Sequence, residues 1–68
     1  MQSEVVVEYV TTGDAARMFG YKDSRSIVRL VERGEIAGYR TPGGHWRLRR
    51  DSVLEAYDRY QSAVRQAS

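Results

Sequence analysis

The sequence contains no cysteine, one proline, one tryptophan and a single histidine. Without cysteine there is no disulfide framework, and one histidine alone does not form the usual zinc cluster. No stretch approaches the roughly 20 apolar residues of a membrane span, and the N-terminus lacks the basic-then-apolar layout of a signal peptide. We therefore expect a cytoplasmic protein with no metal or cofactor, whose fold rests on an apolar core.

The length limits that core. A chain of 68 residues forms one small domain, and a domain of about 60 residues buries only about 60% of the surface that its unfolded chain exposes. The sequence shows no internal repeat, linker or low-complexity segment. We expect a single marginally stable domain over residues 1–68, with its core in residues 10–57 and a helical extension over residues 58–66.

Charge is distributed unevenly along the chain. Its net charge is +2, but residues 22–50 carry eight basic and three acidic side chains, a local balance of +5, and the remainder carries −3. Solubilising charge is normally mixed in sign, so this segregation indicates a polyanionic partner for the middle of the chain. Nucleic acid is the first candidate.

A first short helix is predicted in "TTGDAARMFG". Thr11 is suited to cap its N-terminus, Asp14 three residues later resembles the second half of a capping box, and Gly20 is a stop signal. The predicted helix runs from Thr12 to Phe19. A hydroxyl or amide of Thr11 or Thr12 at its start is also a suitable phosphate contact.

A second short helix is predicted over residues 24–33. Either Asp23 or Ser24 is able to cap it, Gly34 ends it, and an inward apolar stripe recurs at helical spacing, made of Ile27, Leu30 and Val31. Two short helices joined by a few turn residues indicate a helix-turn-helix, in which the second helix enters the major groove of DNA.

A β-hairpin is predicted next, because the alternating segments "EIAGYRT" and "HWRLRR" flank Pro42-Gly43-Gly44. In its second strand His45, Arg47 and Arg49 share one face, and Trp46 and Leu48 share the other. We expect Arg40 to join the cationic outward face.

Less regular segments lie at the two ends. "SEVVVEYV", residues 3–10, favours a short strand, and "RDSVLEAYDRYQSAVRQA", from about residue 50, predicts a long C-terminal helix. We expect the core to consist of Met18, Phe19, Leu30, Ile36, Tyr39, Trp46, Leu48, Val53 and Tyr57.

The segments "VTTGDAARMFG", "SRSIVRLVERGEIAGYRTPGGHWRLRRDSV" and "LEAY" together resemble the small winged helix-turn-helix domains of the MerR-like and excisionase group. The likeness covers about residues 10–57, and its most specific parts are "RGEI", the wing "RTPGGHWRLRR" and the Thr-x-x-Asp-Ala-Ala start. It implies a mostly helical α+β fold: a winged helix-turn-helix with two short helices, a β-hairpin wing, a longer C-terminal helix and a short N-terminal strand.

The resemblance also implies a function. Family members of this length look like excisionases, also called recombination directionality factors, which bind arrays of sites on double-stranded DNA, bend it and help an integrase excise a prophage. Others look like short transcriptional regulators of the MerR or BldC kind. The implied partners are DNA, neighbouring copies and an integrase, with no membrane or small-molecule ligand. A protein-interaction module binding an acidic partner is a further alternative.

The candidate DNA-binding residues lie on the second helix, on the wing and beside them. Arg29 is the first choice for a base contact and Val28 for a thymine methyl, while the wing arginines suit phosphates or the minor groove. The alternatives are a solvated helix face, a core margin at Val28 and a charged edge strand. The full set is Lys22, Ser24, Arg25, Ser26, Val28, Arg29, Arg40, Thr41, Gly43, Gly44, His45, Arg47, Arg49 and Arg50.

For the other conspicuous side chains, a structural role is the alternative to a functional one. His45 lacks a nucleophile, a carboxylate or a second histidine nearby, so we expect a turn or backbone contact and no enzyme activity. Trp46 is expected in the core, with base stacking as the alternative. Tyr60 and Val64 either complete the core or form a protein-interaction surface for a neighbouring copy or an integrase.

Overall fold

Three helices and a three-stranded antiparallel sheet make up residues 6–67, the part of the chain that the computed structural model describes. In chain order the elements are β1 (Tyr9–Val10), α1 (Thr12–Phe19), α2 (Arg25–Glu32), β2 (Gly38–Arg40), β3 (Trp46–Arg49) and α3 (Arg50–Ala67). Most of these residues are helical, and β2, β3 and their loop form the predicted wing. The predicted α+β winged helix-turn-helix is confirmed.

Local hydrogen bonds set both ends of α1. Thr11 Oγ1 accepts from the Asp14 N–H at 3.0 Å, and Asp14 Oδ2 accepts from the Thr11 N–H at 3.3 Å. At the other end the Gly20 N–H donates to the Arg17 carbonyl and the Tyr21 N–H to the Ala16 carbonyl, the Schellman pattern. The predicted capping box and the predicted bounds of this helix are therefore confirmed.

Helix α2 is one residue shorter at each end than predicted. Of its two candidate caps, Asp23 supplies the bond: its Oδ1 accepts from the Arg25 N–H at 2.8 Å, whereas the Ser24 hydroxyl makes no capping bond. The helix ends with bonds from the Gly34 N–H to Val31 and from the Glu35 N–H to Leu30. This turn leads the chain directly to Ile36, which is buried.

Strand β3 lies at the centre of the sheet, between β1 and β2. Gly38 of β2 faces Leu48 of β3 so closely that a Cβ on Gly38 would lie 2.6 Å from the carbonyl oxygen of Arg47. Glycine is therefore required there for the strands to pair. In the predicted N-terminal strand, Tyr9–Val10 pairs with β3, and the Glu8 carbonyl accepts from the Arg50 N–H at 2.9 Å. Val6 and Val7 are exposed, and residues 3–5 lie outside the described residues.

The core joins all three helices to the inner face of β3. Its buried members are Ala15, Ala16, Ile27, Leu30, Ile36, Leu48, Val53 and Ala56. Four of the predicted core residues are among them: Leu30, Ile36, Leu48 and Val53. Met18, Phe19 and Trp46 pack against the core from its margin, half-buried, and Tyr57 is half-buried as well.

The predicted burial of Tyr39 is wrong. Its side chain is 51% exposed, because the ladder places Tyr39 opposite Arg47, on the face of the sheet away from Leu48. There its ring packs edge-on against Tyr9, at 5.5 Å between centroids.

Helix α3 begins at the residue after β3 ends. Its middle packs on the end of α1: the ring of Phe19 makes edge contacts with Tyr57 at 5.4 Å and Tyr60 at 5.7 Å between centroids. Ser52 Oγ accepts from the Ala37 N–H at 2.8 Å and so anchors the segment that precedes β2. The long helix therefore contacts both halves of the domain.

Candidate nucleic-acid interface

Helix α2 has one buried and one exposed side. Ile27 and Leu30 are buried, whereas Arg25, Ser26 and Arg29 are exposed, with the two arginines one helical turn apart. Ser24 and Val28 are half-buried, so Val28 lies at the margin of the core. The helix therefore presents a surface of two arginines and small side chains, as the sequence predicts.

Asp23 holds Arg25 at the start of α2. Its Oδ2 accepts from Nε of Arg25 at 3.0 Å and from Nη2 at 2.8 Å. The side-chain hydrogen bonds of Arg25, followed by its backbone N–H, lower the pKa of Asp23 below 3.8, and the same side-chain bonds raise the pKa of Arg25. Both groups are therefore charged over the physiological pH range.

The wing is a hairpin closed by three residues, Pro42, Gly43 and Gly44. The Thr41 N–H donates to the His45 carbonyl at 2.7 Å, and the Gly44 N–H donates to the Thr41 carbonyl at 2.9 Å. Gly44 has φ 85°, the left-handed conformation usual at the end of three-residue hairpin loops. The backbone N–H of His45 donates to Thr41 Oγ1 at 3.2 Å, and the contact predicted for its imidazole stays a prediction.

Arg40 lies on the other face of the wing from the predicted one. It is paired with Trp46 in the ladder, so both side chains are on the Leu48 side of the sheet, and Arg40 Cζ lies 5.8 Å from the centre of the Trp46 ring. Nε of Arg40 also donates to the Gly44 carbonyl at 3.5 Å. Arg47 and Arg49 are on the opposite face, because alternate residues of β3 point to alternate sides.

A groove separates the wing from the N-terminus of α1. It is lined by Thr11, Thr12, Thr41, His45, Trp46 and Arg47. Trp46 thus has two roles, because its half-buried ring packs on the core and also forms a wall of the groove. The structure therefore brings the N-cap Thr11 and the first helical residue Thr12 next to the wing, and both are phosphate candidates in the sequence.

The nine basic side chains from Arg17 to Arg50 divide into two groups. Arg17, Arg25, Arg33, Arg49 and Arg50 form ion pairs with Asp14, Asp23, Glu35, Asp51 and Glu8, respectively. Residues 6–67 supply no carboxylate partner to Lys22, Arg29, Arg40 or Arg47. All four of these cations belong to the helix-turn-helix and the wing.

Arg49 and Arg50 lie at the base of the wing, away from its tip. Arg49 Nε and Nη2 donate to Asp51 at 3.1 and 2.7 Å, and Nη1 of Arg50 lies 3.7 Å from Glu8 Oε2. The Asp51 carboxylate raises the pKa of Arg49. These two arginines therefore enter any contact with an anion already paired.

The two residues proposed for protein contacts differ in their surroundings. Tyr60 is half-buried and packs on the core through Phe19, whereas Val64 is 65% exposed, one turn further along α3. Tyr60 therefore has a structural role that the sequence left open, and Val64 remains available on the surface.

Sequence reasoning identified Asp23 only as a helix cap. Its bonds to the guanidinium of Arg25 were missed, although an aspartate two residues before an arginine at a helix start is a usable signal. A carboxylate at this position reaches both the first helical N–H and the side chain beyond it.

Two short helices joined by a turn, followed by a β-hairpin and a closing helix, define a winged helix-turn-helix protein. The chain belongs to the family described as "Helix-turn-helix domain", which matches residues 9–59 and includes excisionase-like DNA-binding proteins. This membership supports DNA as the partner.

Further comparisons add no relative. Neither the curated proteins nor the solved structures include a significant match to the chain. Within residues 6–67, no helix combines the length and the apolar character needed to cross a membrane.

Proposed function

We propose that the protein is a sequence-specific binder of double-stranded DNA that acts architecturally, as a phage or prophage excisionase that controls integrase directionality. It works in the cytoplasm, without catalysis, by cooperative binding and DNA bending. The observation that carries the proposal is that four cations of the helix-turn-helix and the wing have no carboxylate partner among residues 6–67: Lys22, Arg29, Arg40 and Arg47.

The placement of these cations supports contact with a duplex. An exposed cation that has no carboxylate partner gains more from a phosphate or a base than one that must first give up an ion pair. The helix-turn-helix class places its second helix in the major groove, which gives Arg29 access to base edges. In this arrangement Lys22 and the wing cations contact the flanking backbone or the minor groove.

The N-terminus of α1 adds to the same surface. Thr11 and Thr12, at its start, line the groove together with Arg47 and His45. A helix N-terminus attracts anions, so we propose that a backbone phosphate binds at this groove. Glycines 43 and 44 carry no side chain, so the wing tip can approach the DNA backbone closely.

The exposed end of α3 supports the cooperative part of the proposal. Val64 is uncovered and follows Tyr60, which is anchored in the core. A rigid helix that presents an apolar residue beyond the domain suits a neighbouring copy or an integrase. Weak contacts of this kind raise occupancy on adjacent sites.

The first test is the titration of duplex DNA at two salt concentrations. Each phosphate neutralised contributes about −0.9 to the slope of log affinity against log salt, so several contacts should give a steep decline. An affinity that does not change with salt would exclude DNA as the partner and favour a protein-interaction module.

The second test separates the architectural role from gene regulation. A gel shift and footprint across an attachment site should give a ladder of cooperative complexes, with bending measured by circular permutation of the site. A single complex on a palindromic promoter, without a ladder, would instead indicate a small MerR-like or BldC-like transcriptional regulator.

A further inference from the structure

The start of α2 contains an arginine whose position is fixed at two points by one carboxylate. Asp23 Oδ1 accepts the backbone N–H of Arg25 at 2.8 Å, and Oδ2 accepts Nε at 3.0 Å and Nη2 at 2.8 Å from the same residue. The guanidinium is therefore held in one orientation relative to the helix axis. Its side chain is nevertheless 85% exposed.

These bonds occupy only one edge of the guanidinium. An arginine has five N–H donors in a planar fork, and Asp23 uses one on Nε and one on Nη2. Of the remaining three donors, one on Nη1 points back on the Cδ side, and the other on Nη1 together with one on Nη2 forms the end-on edge. That edge presents two parallel N–H groups.

Two parallel N–H groups match guanine. In the major groove guanine presents N7 and O6 as adjacent acceptors, and arginine binds both at once. The N-terminal residues of a recognition helix are those that contact base edges, and Arg25 is the first residue of α2. Its position and its free edge therefore both suit a base.

The carboxylate also disfavours the alternative ligand, a phosphate. Asp23 neutralises the charge of Arg25 and places a negative group beside any phosphate that approaches it. A guanine carries no net charge, so it keeps its two hydrogen bonds without that repulsion. Because the side chain is already ordered, it also loses less rotamer freedom on binding.

We propose that Asp23 is a positioning residue that presents Arg25 to a guanine in the major groove, and so sets the base preference at one position of the site. This inference rests on the proposed binding of double-stranded DNA. It adds a specificity-determining pair to Arg29, which has no such support.

The chain contains a matched control. Asp51 makes the same kind of side-on pair with Arg49, and its Oδ1 also accepts a backbone N–H, that of Ser52, at 2.8 Å. Arg49 points to the face of the sheet away from Leu48 and α2, so this pair lies apart from the recognition helix. Asp51→Asn removes an equivalent carboxylate without touching Arg25.

The test begins with a duplex selected by the wild-type protein from a randomised library. Each guanine of that site is then replaced in turn by 7-deazaguanine, which lacks the N7 acceptor. Wild type is expected to lose about tenfold or more in affinity at the guanine read by Arg25. Arg25→Ala should bind the natural and the substituted site almost equally.

The decisive variant is Asp23→Asn, which keeps an oxygen for the Arg25 N–H but removes the charge. We expect this variant to lose most of the discrimination at that guanine. Asp23→Glu should restore part of the discrimination, and Asp51→Asn should keep all of it. Circular dichroism checks the helices, and Asp23→Ser, which retains a cap, replaces Asp23→Asn if the latter does not fold.

Three results would overturn the inference. If Asp23→Asn keeps the full discrimination between guanine and 7-deazaguanine, Arg25 needs no support from Asp23. If Asp23→Asn loses affinity equally for every duplex, Asp23 only stabilises the helix. If Arg25→Ala discriminates at every guanine as well as wild type does, Arg25 reads no guanine. Salt-dependent binding by wild type is measured first, so a failure of duplex binding itself is recognised separately and ends both proposals.

Discussion

The guanidinium of Arg40 lies over the indole ring of Trp46, with Cζ 5.8 Å from the ring centre. The two residues face each other across the β2–β3 ladder, and a cation over an aromatic face is attracted by the electrons of the ring. A basic side chain of the wing is thereby held beside the groove that Trp46 lines.

Removing Arg40 should change the emission of Trp46 in the free protein. Trp46 is the only tryptophan, so fluorescence reports on this ring alone, and Arg40→Ala uncovers one of its faces to water. We expect a red-shifted spectrum. Arg17→Ala, which removes an arginine of α1 paired with Asp14, is the control and should leave the spectrum unchanged. Identical spectra for wild type and Arg40→Ala would contradict the stacking.

Arg29 and Arg47 should contribute differently to DNA binding. We expect Arg29→Ala to cost about 1–3 kcal/mol of discrimination at one base pair, because a guanidinium bridges the two acceptors of guanine. Arg47→Ala should weaken all duplexes alike and reduce the salt slope by about 1. Affinities for the selected duplex and its single-base variants at two salt concentrations measure both effects. Equal loss of preference in the two variants would refute this division.

Gly38→Ala should destabilise the wing. The added methyl would lie 2.6 Å from the Arg47 carbonyl oxygen and 2.8 Å from Leu48 Cδ2, and overpacking of this kind costs about 1–3 kcal/mol. Gly43→Ala is the matched control, since its nearest atom would be 3.6 Å away, and it should change the free energy of unfolding by less than about 0.5 kcal/mol. Urea denaturation compares the two, and equal stabilities would show that β2 shifts to make room.

The capping box should make stability depend on pH in acid. The Thr11 N–H, then the Thr11 hydroxyl and Arg17, hold the pKa of Asp14 below 3.8 in the folded chain. As the pH falls, the Asp14 carboxylate therefore takes up a proton at a higher pH in the unfolded chain than in the folded chain. The stabilisation is complete above the unfolded pKa and is lost as the pH falls through the folded pKa.

We therefore expect wild type to be more stable than Asp14→Asn near neutrality and the gap to close in strong acid. Urea unfolding of both proteins at pH about 6 and about 2.5 measures it. Asp23 and Asp51, whose pKa values are also lowered, are present in both proteins, so their effects cancel. A gap that is constant with pH would exclude the charge of Asp14 as the cause.

Substitutions of Tyr60 and Val64 should distinguish an effect on folding from an effect on association between neighbouring molecules. Tyr60→Ala removes a ring that packs on Phe19 and should cost about 2 kcal/mol of unfolding free energy. Val64→Ala, at an exposed site, should cost less than about 0.5 kcal/mol but reduce the cooperativity of binding to adjacent sites. Thermal unfolding and gel-shift ladders provide the two readouts. Unchanged cooperativity in Val64→Ala would remove this residue from the proposed contact.

Local signals explain what the sequence predicts well. The bounds of α1 follow from Thr11, Asp14 and Gly20, because a capping box and a stop glycine act within a few residues of themselves. The exposure of Arg25 and Arg29 follows from helical spacing. The start of α3 at Arg50 follows from the change of hydrophobic period after the wing.

The register between β2 and β3 explains which side-chain positions local sequence signals do not predict. The faces taken by Tyr39 and Arg40 depend on how β2 pairs with β3, and a shift of one residue exchanges the two faces of a strand. Three alanines, Ala15, Ala16 and Ala56, are buried in the core, whereas the predicted core contains only larger side chains. Small residues there let the elements pack closely, a requirement of the tertiary structure that composition does not reveal.

The direct passage from β3 into α3 has a mechanical consequence. With no loop between Arg49 and Arg50, we expect a tilt of the wing to be passed on to the long helix. A helix of this length extends about 27 Å, so a rocking of the wing by about 10° on a deformed duplex would swing the far end by about 5 Å. The curvature of the bound DNA would then decide where the next molecule is met.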